Sequence, residues 1–238
     1  MHPLVSAALR GATLITLSSC AAAGVGGDIP PNTLTRAERD AGWRLLFDGT
    51  TTAGWRNHRA DTIGAGWQVI DGSLTRAAAG GDIVTAEQFR DFELVLDWMI
   101  APGGNSGIFY RVADSGDAVW GTAHEMQVLD DARHDDGKSP LTSAGSVFAL
   151  YPAPRGVAHP ANEWNHVRIV VSGDHVEQWL NGTRAVSFDI GSPDWSARVA
   201  ASKFATLPGF GRQPTGRLAL QDHGDRVAFR NIKVRVLP

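Results

Sequence analysis

From Trp43 onward, hydrophobic and polar positions alternate in short runs separated by glycine turns. Phe92, Leu94, Leu96, Trp98 and Ile100 alternate with Glu93, Val95, Asp97 and Met99. Ile108, Tyr110 and Val112 alternate with Phe109 and Arg111, and His124, Met126 and Val128 with Glu125, Gln127 and Leu129. A period of two is the signature of a strand with one face buried. Val167–Val171 and Val176–Leu180 form a further pair across Ser-Gly-Asp-His, and Asn181-Gly182 ends it with a dipeptide suited to a tight turn. Leu218 and Leu220, then Val227, Phe229, Ile232, Val234 and Val236, close the chain. The three-residue step from Phe229 to Ile232 predicts a bulge.

No window carries a convincing helical period; the best helical stretches are Leu34–Ala41 and a turn near Ala86–Phe89. Many strands without helices between them predict an all-β fold, a sandwich of two antiparallel sheets. The glycines are spread evenly and no linker appears after residue 42, so residues 42–238 read as one domain. The stretch Asp130–Pro160 is strand-poor, and a loop that long is commonly functional.

Composition narrows the function classes. In 238 residues, 22 Lys+Arg stand against 25 Asp+Glu, so no basic face for nucleic acid is indicated. No Walker loop, GxGxxG, GxSxG, HExxH or DxDxDG signature occurs. The single cysteine, Cys20, rules out an intramolecular disulfide and a cysteine-clustered metal site. Its position is informative. Gly11–Leu17 is apolar, too short to span a bilayer and about the size of a signal-peptide core. Leu17-Ser18-Ser19-Cys20 has the aliphatic–small–small–Cys form of a bacterial lipoprotein processing site. Residues 1–19 are therefore expected to be a signal peptide, Cys20 the lipidated residue, and 20–41 a flexible tether. Ala21 favours attachment to the outer membrane of the cell envelope, by lipid and without a transmembrane domain.

Candidate chemistry sits on polar residues of otherwise apolar strands. Glu125 and Gln127 share a face, with Asp130 just past the strand end. His124 shares the face of Met126 and reads as a core or edge histidine. Asp97 and Arg111 also lie opposite core residues, so these faces together would line a polar groove in which a sugar could lie. Asn105-Ser106-Gly107 precedes the Arg111 strand, and Gln221-Asp222-His223-Gly224 ends the Leu218 strand at a sheet rim. Of eight tryptophans, Trp43, Trp98 and Trp164 read as core or strand anchors. Trp55, Trp67, Trp120, Trp179 and Trp195 read as core unless one of them enters the groove and stacks on a sugar.

These pieces, taken in order, resemble the 3-keto-disaccharide hydrolase domain family. The resemblance rests on Gly42–Thr50 (GWRLLFDGT), Gly54-Trp55, Trp67 with Asp71-Gly72, Asp91–Leu94, and Asn105–Arg111 (NSGIFYR). It continues through Glu125–Asp130 (EMQVLD), Trp164-Asn165, Trp179–Gly182 (WLNG), Lys203-Phe204, and Leu220–Gly224 (LQDHG) running into Phe229–Ile232. Two positions depart from the pattern: Asp97, where the family often has glutamate, and His124, where it often has tyrosine.

The resemblance implies a concanavalin A-like jelly roll and a carbohydrate substrate already oxidised at C3 by a separate glycoside 3-oxidoreductase. A C3 ketone acidifies the C2 proton, so cleavage by elimination and then hydration needs a base, an acid near the leaving oxygen and a cation for the enolate. Glu125 or His223 is expected as base and acid, and Lys203 or Arg111 at the enolate. Asp97, Asn105, Gln127, Asp130, Gln221 and Asp222 are expected to hold the sugar. A divalent cation (calcium, magnesium or manganese) held by carboxylates and His223 is the alternative to the lysine. The rival readings are a non-catalytic carbohydrate-binding module, a conventional glycosidase with paired carboxylates, and a structural envelope lipoprotein.

Overall fold

The computed structural model describes residues 29–238. Its first strands are β1 (Arg44–Leu45), β2 (Trp55–Asn57), β3 (Trp67–Ile70), β4 (Ser73–Arg76), β5 (Ile83–Thr85) and β6 (Phe92–Ile100). They are followed by β7 (Asn105–Val112), β8 (His124–Leu129), β9 (Asn165–Ser172), β10 (His175–Leu180), β11 (Thr183–Asp189), β12 (Arg217–Leu220) and β13 (Val227–Val236). One sheet runs β11-β10-β9-β6-β13-β4-β3, with β1 also paired to β13. The other runs β2-β5-β12-β7-β8. All of the pairings are antiparallel, the arrangement expected of a jelly-roll sandwich.

The alternating residues explain why the sheets face each other. Leu94, Leu96 and Trp98 of β6, Ile108 and Tyr110 of β7, Met126 and Val128 of β8, and Phe229 of β13 belong to one buried cluster. Each large apolar side chain removed from water contributes roughly 1.5–3 kcal/mol, so turning either sheet over is prohibitive. The bulge expected near Phe229–Ile232 is present. The β13–β6 register shifts between Arg230 and Lys233, and Asn231 takes a positive φ of 55°.

Three expectations need correction. The turn near Ala86–Phe89 is not helical; Phe89 instead bridges Gly216 in antiparallel fashion. A helix that the periodicity does not reveal, α2, spans Pro193–Ala200. It has eight residues and buries only Trp195, too little for a periodic signal, although Ser192 as N-cap followed by Pro193 marks its start. The tether expected over 20–41 is not free along its described part. Asn32 exchanges hydrogen bonds with Asn231 (2.6 and 2.8 Å) and donates to the Gly72 carbonyl at 2.8 Å. The helix α1 (Arg36–Asp40) is closed by a Thr35/Glu38 capping box, and Glu38 also pairs with Lys233 of β13. The folded unit therefore begins near Asn32. The expected signal peptide and Cys20 lie outside the described residues. No helix among the described residues is long and apolar enough to cross a membrane.

Candidate functional site

The site is built on the outer face of the small sheet. Because Ile108, Tyr110, Met126 and Val128 point into the core, their neighbours Gly107, Phe109, Glu125 and Gln127 face outward. The register pairs Gly107 with Gln127 and Phe109 with Glu125, while Asn105 pairs with Leu129. On the other side of β7, Leu220 pairs with Ile108, and the next residue, Gln221, donates its N–H to the Gly107 carbonyl at 3.0 Å. Read along the strands, the floor therefore runs from Asn105, through Gln127, Gly107 and Gln221, to Glu125.

Loops raise walls around this floor and enclose a cavity of about 230 Å³. Phe148 comes from the long Asp130–Pro160 loop, which also covers the edge of β8: Gln127 N–H donates to Ser146, and Gly145 N–H donates back to Gln127. Asp136 comes from a short 3-10 turn in the same loop, and the Asn105 amide approaches it at 3.5 Å. Trp120 comes from the β7–β8 connection, and Lys203 from the turn that follows α2. His223 stands on the rim with its ring 6.5 Å from that of His134.

Glu125 is the electrostatic centre. Its carboxyl is buried and leans over Gly107: a Cβ there would fall 2.9 Å from the carboxyl carbon and closer still to one oxygen. A glycine is thus needed at 107 to leave room for the acid. Burial pushes the Glu125 pKa up to about 8, Asp82 and Asp136 push it the same way, and the Lys203 charge opposes them. A carboxyl poised near neutrality in a cleft can take and return a proton, which is the property that marks general acid–base sites.

The chain places the other expected residues unequally. Asn105, Gln127, Lys203, Gln221 and His223 converge with Glu125 on the cavity. Arg111, Asp97, Asp130 and Asp222 do not, and each has a physical reason. Arg111 sits at an irregularity in the β7–β12 register with φ 57°, which turns its guanidinium off the outer face. It donates to the carbonyls of Arg90 (3.0 Å) and Gly173 (2.6 Å), tying the end of the small sheet to the β9–β10 turn. Asp97 does face outward, but from the large sheet. There it accepts from His166 (2.8 Å) and Asn231 (2.7 Å) beside the β13 bulge. Burial would raise its pKa, but those hydrogen bonds and the charges of His166 and Arg230 hold it below the usual carboxylate value.

Asp130 forms the turn after β8, accepting from the Gly103 N–H at 2.7 Å and the Ala132 N–H at 3.2 Å. Asp222 is occupied as a clamp: it accepts from Arg76 at 2.6 Å and from the backbone of Gly80 and Gly81 at 2.7 and 2.9 Å.

Asp136, Phe148 and Asp82 were not legible as site residues, although the first two fall in the loop that the sequence marks as functional. Asp82 accepts the Asp222 N–H at 2.9 Å, so it supports the segment carrying Gln221 and His223 from behind. His124 is the core histidine its pattern indicates. It accepts from the Trp195 indole at 2.8 Å, and burial drives its pKa down to about 3, so it stays neutral. That bond pins α2 to β8, directly before the turn that presents Lys203.

The donor set bears on the cation expectation. Among the described residues, no group of three or more His, Cys, Asp or Glu side chains is placed to hold a metal ion. The floor instead offers three amide oxygens, those of Asn105, Gln127 and Gln221, buried and without a partner among the described residues. Such bare acceptors suit hydroxyl donors.

The chain as a whole is similar to proteins already known. The family described as the 3-keto-alpha-glucoside-1,2-lyase-like domain matches residues 42–235. A 3-keto-disaccharide hydrolase of Bacteroides thetaiotaomicron is 32% identical over 228 residues, covering 82% of this chain and 79% of the relative. A crystal structure of a Parabacteroides distasonis protein, provisionally described as a glycosyl hydrolase, superposes with a TM-score of 0.83 at 34% identity. It covers 88% of this chain and 100% of its own. A Bacillus subtilis protein with a galectin-like fold superposes at a TM-score of 0.50 and 12% identity, over 87% of this chain and 94% of its own, a likeness of fold alone.

Proposed function

The chain belongs to the 3-keto-alpha-glucoside-1,2-lyase-like domain family, and from that membership we propose that it hydrolyses the glycosidic bond of 3-keto-glycosides by elimination followed by hydration. The observation that carries the proposal is a buried carboxyl, Glu125, with its pKa raised to about 8, on a floor of bare amide acceptors and facing a lysine.

The steps follow from the substrate's chemistry. Glu125 removes the C2 proton, and the electron pair is held as an enolate on C2, C3 and the C3 oxygen. Collapse of the enolate forms the C1–C2 double bond and breaks the bond from C1 to the leaving oxygen, which takes a proton from an acid. Water then adds across the double bond, hydroxyl to C1 and proton to C2. The family's description names a lyase and the relative's name a hydrolase; elimination with rehydration accommodates both. Lys203 lies over the Phe148 ring, whose residue donates its N–H to the Glu125 carbonyl, while His223 stands toward the Asn105 end of the same cavity. One of them meets the C3 oxygen and the other the leaving oxygen, so both charges that develop have a donor. No step is routed through a cation. A conventional glycosidase would need a second carboxylate placed across the bond. Asp97 and Asp130, the partners the sequence offers, lie outside the cavity, and the second carboxylate that does line it, Asp136, stands at the Asn105 end with the amides of Gln127 and Gln221 between it and Glu125. Lipid anchoring through Cys20 at the cell envelope fits a substrate met outside the cytoplasm and belongs to the same proposal.

Two experiments bear on this reading. Purified protein is expected to release the aglycone from a 3-keto-glucoside and not from the unoxidised glucoside; equal release from both would overturn the keto requirement. Gly107→Ala is expected to lower kcat roughly 10–100-fold, because the new Cβ pushes the Glu125 carboxyl out of place. The Tm should change little, since the displaced group is the end of a flexible side chain. Undiminished kcat would mean that the reacting carboxylate is not the one held over this glycine.

A further inference from the structure

The cavity has two chemically unlike ends, and the strand register fixes their order. Asn105, Asp136 and His223 lie at one end, with the amides of Gln127 and Gln221 between them and Glu125. The three orphaned amide oxygens are all on this side. A buried acceptor is costly while bare, and the hydroxyls of a sugar ring are the donors it lacks.

The other end is aromatic. The β7–β8 connection turns through Val119–Gly121, and Val119 is fully buried in a small cluster with Phe109, Val112 and Ala123, beside the Glu125 row. That anchor holds the next residue outward: Trp120 is 43% exposed, although an indole is a costly group to leave in water. Lys203 lies over the Trp120 ring at 5.8 Å and over the Phe148 ring at 4.2 Å. The described ion pairs engage Lys138 and Lys233 but not Lys203.

Resting on the keto-glycoside reading above, we propose that Trp120 is the platform for the leaving group. The keto-sugar lies over the amide end, its C1–O bond points toward Lys203, and the flat face of the aglycone stacks on the indole. This orientation sets His223 at the C3 oxygen and Lys203 at the leaving oxygen. It also names the substrate class: 3-keto-glycosides whose leaving group has a flat π or C–H face, an aryl ring or a second pyranose.

The test compares methyl, phenyl and glucosyl 3-keto-glucosides with wild type, Trp120→Ala and Trp120→Phe. Binding is read by calorimetry in a Glu125→Gln background, and turnover is read separately in the native one. The binding preference for phenyl over methyl is expected to fall about tenfold in Trp120→Ala and to be largely restored in Trp120→Phe. A parallel fall for glucosyl over methyl extends the platform to sugars; a fall for phenyl alone restricts it to aryl groups. Unchanged preference ratios overturn the platform, even where overall affinity drops. Trp120-dependent binding without turnover keeps the platform and removes the hydrolase reading. Turnover with unchanged ratios removes the platform alone, and absence of binding to any of the three overturns both.

Discussion

Glu125→Gln is expected to lower kcat on a 3-keto-glucoside about 10³-fold while raising the Tm. The first effect follows from losing the buried carboxyl assigned to take the C2 proton, a loss within the usual range for a general base. The second follows from why its pKa is high. Burial disfavours the charged carboxylate, so the folded protein holds this proton up to about pH 8, whereas the unfolded chain releases it near 4.5. Between those values the folded state binds the extra proton, so stability falls as pH rises through the window. Glutamine never ionises and escapes the penalty. The Tm advantage of Glu125→Gln should therefore be small near pH 4.5, grow through the window and be largest above about 8. Wild-type activity should rise over the upper part of the same window, as the carboxylate forms. Thermal melts and pH–rate profiles read both. A variant that is neither slower nor more stable in alkali would show that this carboxyl is neither the base nor destabilised by burial.

Lys203→Gln is the second large expected effect, and its size should depend on the leaving group. If Lys203 meets the leaving oxygen, its loss should lower kcat/KM about 10²–10³-fold for a methyl or glucosyl leaving group, which needs help to depart. The loss should be far smaller for a nitrophenolate, which departs unaided. Lys203 also lowers the Glu125 pKa, so the rising limb of the pH–rate profile should move toward higher pH in the variant. An equal loss across leaving groups would place the lysine at the enolate oxygen and reverse the orientation of the sugar.

Much of this architecture is legible in the chain because burial of one strand face writes a period of two. The strands around Trp98, Tyr110, Met126 and Phe229 are marked in this way, and a skipped residue marks the β13 bulge. The limits are equally physical. Alternation tells that Asp97 and Glu125 both face away from the core, but not that they face away on opposite sides of the sandwich. At Arg111 the register slips, and a face assigned by counting from Ile108 no longer holds. Asp222 shows a third limit: its neighbours Gln221 and His223 enter the cavity, while its own carboxylate is taken by Arg76 and two backbone amides. Phe148, Asp136 and Trp120 arrive from loops and short turns, where no periodicity speaks. α2 is likewise too short to show one.

The central claim is that the C2 proton is removed before the bond at C1 breaks. It is tested most directly by letting the protein cleave a 3-keto-glucoside in D₂O and reading C2 of the released keto-sugar by NMR, at times short against spontaneous exchange. One deuterium at C2 in the first product formed is the result expected. Cleavage that leaves the original protium at C2, together with no primary isotope effect on cleavage of the C2-deuterated substrate, would contradict it.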